Sequence, residues 1–162
     1  MPGSSSEHGN LVDRFAASFE RLSDLTAYEG IDPVAGQLSF GEPDRNGHKR
    51  WRPTKVTGDR SSLEQIYRSL PVHFPRLFEL LLLSYRWAEV DLRVYTLLAN
   101  PPGRDLTGFL QQVLRDNALW ECLQRERYLQ FARGSGGGYD PVCFDTTSRK
   151  RNRDCPNRKD RP

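Results

Sequence analysis

A chain of 162 residues has room for one domain with a real core plus extensions, yet a hydrophobic fraction of 36% and a mean hydropathy of −0.70 are low for a chain folded throughout, so disordered ends are expected. No apolar run approaches the roughly 18 residues of a membrane span, and the opening "MPGSSSEHGN" has neither the basic nor the apolar part of a secretion signal, which excludes those two classes and leaves a cytoplasmic protein as the expectation. The formal charge of +3 belongs to the end of the chain: from Ser148 onward seven Lys or Arg stand against Asp154 and Asp160, net +5, whereas residues 1–147 hold 17 basic and 19 acidic side chains, net −2.

The first predicted element is a helix from Leu11 to Tyr28. Asn10 is placed to cap it, Leu11, Phe15, Phe19 and Leu22 recur at helical spacing, and Gly30 with Pro33 stops it. Residues 31–59 are rich in Gly, Pro and charge. There "GEPDRNGHKR" reads as a turn between the extended pieces "QLSF" and "WRPTKV", either a hairpin or an irregular linker. Ser61 or Ser62 ahead of Glu64 opens a helix with Leu63, Ile66, Tyr67 and Leu70 on one face, ended by Pro71. A second helix opens at Phe74 with Pro75 in its first turn. Its "ELLLLSYRWAEV" is too apolar for a surface helix, so it is expected to be central. The partly alternating "VDLRVYTLLANPPG" closes on a breaker cluster, and "DLTGFLQQVLRDNALWECLQRE" follows as a third helix with Leu106, Leu110, Val113, Leu114 and Leu119 inward. Two strands, "RYLQFAR" and "YDPVCFDT", then flank "GSGGG".

The expected organisation is a disordered N-terminus over 1–10, a helix and an irregular or hairpin segment over 11–60, a core over 61–147 and a basic, disordered tail over 148–162. The tail could attract phosphate backbones by counterion release. With no aromatic residue interleaved to stack on bases, a solvated end is the simpler reading.

Taken in order, "LEQIYRSLPVHFPRLFELLLLSYRW", the NPPG break and "YLQFARGSGGGYDPVCFDT" resemble the SUKH superfamily, which includes fungal cell-wall-assembly regulators and many bacterial immunity proteins. The resemblance covers residues 63–146. It implies an α+β fold with a mixed or antiparallel sheet packed against helices, and a non-enzymatic protein-binding role with no shared catalytic residues to carry over. Family members usually continue past the "CFD" strand into a further strand and a closing helix, where this chain runs into "RKRNRDCPNRKDRP". A reading frame altered near Cys155 is one expectation. It would leave the last strand's edge unpaired and part of an apolar face uncovered.

Chemistry in the glycine loop is weighed residue by residue. "GSGGG" lacks the Lys-Ser/Thr and the strand-to-helix setting of a phosphate cradle. Asp140, Cys143 and Asp145 could offer ligands or a nucleophile, but strand spacing separates Asp140 from the others, and a structural cysteine between Val142 and Phe144 is simpler. Cys122, Cys143 and Cys155 are odd in number without CxxC spacing, and His8, His48 and His73 show no ligand spacing, so neither metal nor cofactor is expected. The remaining reading is a hairpin that presents Tyr139, Asp140 and Asp145 to a protein partner, extended by Trp87, Glu89 and Asp91, with Trp87 equally suited to the core. These carboxylates would suit a basic partner such as a nuclease toxin. Nucleic-acid binding through the tail is the alternative.

Overall fold

A computed structural model of the chain describes residues 5–22, 25–28, 33–103, 105–114, 119–135 and 140–147. The first helix, α1 (Ser5–Leu22), buries Val12, Ala16 and Phe19 at helical spacing. It starts earlier than expected, so Ser5–Asn10 is helical and Asn10 is no cap. Glu7 in its first turn complements the helix dipole. It also ends earlier, because Thr26–Tyr28 is a strand (β1) whose partner lies outside the local sequence.

After α2 (Pro33–Leu38), opened by a proline where the missing N–H costs nothing, β2 (Ser39–Phe40) and β3 (His48–Trp51) form a hairpin, but its second strand begins inside the stretch read as the turn and takes only Trp51 from "WRPTKV". The Asp44 carboxylate holds its turn by accepting the backbone N–H groups of Asn46 at 2.8 Å and His48 at 2.9 Å. β1 adds to the other side of β3, giving the order β1-β3-β2. Next, β4 (Thr54–Lys55) pairs with β5 (Tyr85–Arg86).

The helix pair is α3 (Arg60–Tyr67) and α4 (Arg76–Ser84). Asp59, rather than Ser61 or Ser62, caps α3: its Oδ1 accepts the Ser61 N–H at 3.0 Å. Tyr67 joins the two helices. Its hydroxyl donates to Glu79 at 2.6 Å and accepts the Phe74 N–H at 3.1 Å. Burial and the adjacent Glu79 carboxylate hold the Tyr67 phenol far above its ordinary range. α4 ends at Ser84, sooner than the apolar run suggested, because Tyr85 and Arg86 are drawn into β5.

The main sheet is an antiparallel meander of β6 (Val90–Asp91), β7 (Tyr95–Leu97), β8 (Tyr128–Gly134) and β9 (Pro141–Asp145), in that order. The third helical stretch is realised as α5 (Thr107–Leu114) and α6 (Trp120–Arg125). Leu106, Phe109 and Val113 are buried, whereas Leu119 is 52% exposed and not inward as expected. At the centre stands Phe78, with the rings of Phe74, Phe109, Phe131 and Phe144 at 5.2–5.9 Å between centroids. Helices packed on small antiparallel sheets make this an α+β protein, as the sequence indicated.

One polar knot fastens α1 to β4 and β5. Asp13 accepts Lys55 Nζ and the Tyr85 hydroxyl, each at 2.9 Å. The Lys55 hydrogen bond, then that of Tyr85, holds the Asp13 carboxyl below its ordinary 3.8. A depressed folded-state pKa contributes stability that is present above 3.8 and lost as pH falls through the folded value. Asp13→Asn is therefore expected to narrow the difference between urea midpoints measured at pH 7 and pH 3. The change should be small, since the pair is solvent-exposed.

Candidate protein-binding surface

The structure distributes the expected partner-binding residues over three places. Trp87 is fully buried, its indole N–H donating to the Leu98 carbonyl at 2.8 Å, so it belongs to the core and offers nothing to a partner. Glu89, Asp91 and Asp140 gather at one end of the main sheet, where the β6–β7 turn meets the base of the glycine loop. Asp145 lies at the opposite end, paired with Tyr128. Tyr139, Gly136–Gly138 and the basic tail lie outside the described residues.

At the loop end most of the acidic charge is used internally. Glu89 forms an ion pair with Arg133 across the sheet. Asp91 accepts the Arg93 N–H at 2.8 Å and the Ser135 hydroxyl at 2.9 Å, and the Gly134 N–H donates to the Asp140 carbonyl at 2.9 Å, closing the hairpin. Arg93 takes a left-handed φ of 71° in the β6–β7 turn, a conformation that Asp91 supports from two residues away. Asp145 accepts the N–H and hydroxyl of Thr147. Asp140 is exposed. The stretch around the glycines is thus a hairpin stitched to its neighbour.

Cys143 is half-buried opposite Gln130, and desolvation pushes its thiol up, the reverse of what an activated nucleophile needs. Among the described residues no three His, Cys, Asp or Glu side chains come together in a way that could hold a metal ion. No helix among them is long and apolar enough to cross a membrane.

The feature that residue-by-residue reading missed is an open apolar groove of about 380 Å³ between α1, α4 and β9. Leu11 and Phe15 of α1, Leu77, Phe78 and Leu81 of α4 and Phe144 of β9 line it. It exists because α1 carries more apolar positions than α4 covers. Val12, Ala16 and Phe19 face the core, while Leu11 and Phe15, which share the same periodicity, stay 49% and 38% exposed. On α4, Phe78, Leu81 and Leu82 point inward and Leu77 is left 44% exposed. β9 is the last strand of its sheet, so its outer edge carries no strand among the described residues. The groove and the bare edge adjoin at Phe144. The available signal was the surplus of apolar residues in "ELLLLS" and α1.

No known protein family, curated protein or solved structure matches this chain. The geometry of the groove is the functional observation in hand. A contiguous apolar surface beside a strand whose outer edge is bare among the described residues is chemically suited to burying another chain's side chains, and the residues lining it include no acid, base or nucleophile.

Proposed function

We propose that this protein is a non-enzymatic binding module, immunity-like or regulatory in kind and akin to the SUKH proteins it resembles, and that it holds a partner protein in the α1–α4–β9 groove. The observation that carries the reading is the exposure of Leu11, Phe15 and Leu77 around one trough, where scattered single leucines would need no explanation. A partner covering the three removes apolar area from water at about 25 cal/mol per Å². A basic toxin is a weaker fit than the sequence suggested, because Glu89 and Asp91 already have partners within the sheet.

The test is affinity capture from the source cell's nuclease-treated lysate with three baits: the full chain, a chain ending at Thr147, and full-length Leu77→Asp. The expected result is a discrete protein retained by the first two and lost with the third, whose unfolding free energy in urea stays within about 0.5 kcal/mol of the parent because position 77 is on the surface. Retention by Leu77→Asp would refute the groove. Nucleic acid captured from untreated lysate only by the full chain, and released at higher salt, would favour the basic tail and nucleic-acid binding instead.

A further inference from the structure

Beside the groove, α1 presents a second strip of surface. Leu11 and Phe15 also border a shallow depression whose other walls, among the described residues, are Arg14, Ala17 and Arg21, with no carboxylate among them. Arg14 and Arg21 lie two turns apart on one face and are both exposed, so the apolar trough has a basic shoulder along one side. Of the carboxylates around this strip, Asp13 holds Lys55 and Tyr85, Glu79 of α4 accepts from Tyr67, and Glu20 lies with Arg21 along a different depression, beside Arg50 and Arg93.

On the premise that the groove is the binding site, we infer that its occupant is an amphipathic helix of another protein, apolar on one face and acidic along the flank that meets Arg14 and Arg21. A helix laid between two helices places side chains at i, i+3, i+4 and i+7 in the trough, and its flanking carboxylates then fall beside the arginine shoulder. The chain's own end is the wrong chemistry: residues 148–162 hold seven Lys or Arg and no large apolar side chain. A basic segment on a basic shoulder is repelled, and it has nothing to fill the trough.

The probe is a fluorescent, end-capped peptide of about 14 residues, roughly 21 Å as a helix, with leucines at that spacing and glutamates on both flanks. A second peptide carries lysines in their place. Anisotropy titrations against the full chain at low salt should show the acidic peptide binding about tenfold tighter, with the preference shrinking as ionic strength rises. Arg14→Glu with Arg21→Glu, both on the surface, should reverse the preference, and Leu77→Asp should abolish binding of either peptide. Equal binding of both peptides, still lost in Leu77→Asp, would overturn the acidic partner and leave the groove standing. Binding of neither would overturn both. A dimer seen by sedimentation of the chain alone and broken by Leu77→Asp would assign the groove to a second copy, and the acidic helix would fall.

Discussion

Replacing Trp87 by alanine is expected to lower the unfolding free energy by about 3–5 kcal/mol, as for other large-to-small substitutions of a fully buried aromatic. The side chain has no exposed surface, meets Phe19 edge-on at 6.3 Å and donates its indole N–H to Leu98. Its removal opens a cavity between α1 and the main sheet and leaves a buried carbonyl without that donor. Urea unfolding followed by circular dichroism measures the loss, and Trp87→Phe, which keeps a ring and deletes only the N–H and some volume, should fall between alanine and the parent. A Trp87→Ala protein as stable as the parent would mean that the residue is not in the core.

A comparable loss is expected where Arg86 and Asn100 meet the end of α4, and here the combination matters more than either residue. Both are buried. The Leu82 carbonyl accepts from Arg86 Nη1 at 2.7 Å and from Asn100 Nδ2 at 3.0 Å, and the Tyr85 carbonyl accepts from the same two groups at 3.1 and 2.7 Å. The cation also sits favourably at the carbonyl end of the helix. Its pKa is lowered by burial, with Asp105 opposing, yet a guanidinium stays charged at neutral pH. Each carbonyl keeps one donor when either residue is lost, so Arg86→Met and Asn100→Ala should cost about 2 kcal/mol apiece. The double variant removes both donors from both carbonyls and should exceed the sum by about 1 kcal/mol. Strict additivity in a double-mutant cycle would show that the shared acceptors are not coupled.

What the sequence revealed was what depends on near neighbours. The hairpin of β8 and β9, the proline-opened α4 and the burial of Ile66, Leu82 and Val113 follow from local periodicity and turn chemistry, and all are present. The errors arose where a distant or competing partner decided the outcome. Thr26–Tyr28 left the helical pattern for β3, and Tyr85–Arg86 left it for Thr54–Lys55 across the chain. Asp59 displaced Ser61 as cap because a carboxylate can take both the backbone N–H and the hydroxyl of that serine. The candidate surface was half legible. Glu89, Asp91 and Asp140 do cluster at the loop, but Trp87 faces inward, Asp145 is at the far end and the groove went unseen. Leu11, Phe15 and Leu77 have the spacing of core residues, and only the finite area of their neighbours leaves them outside.

The order of strands in the main sheet bears on how the protein is made. Each of β6 to β9 pairs with the strand that precedes or follows it, so that sheet can zip up as the chain leaves the ribosome, with β9 closing onto β8 in a last local step. The first helix has no such convenience. Its anchors are α4, β4 and β5, which lie far downstream, so Val12, Ala16 and Phe19 emerge well before the elements that cover them and stay in water until α4 has followed. During that wait the strip that later closes the core, Val12, Ala16 and Phe19, is exposed together with the strip that stays open, Leu11 and Phe15, and both are offered to whatever chaperone stands at the tunnel exit.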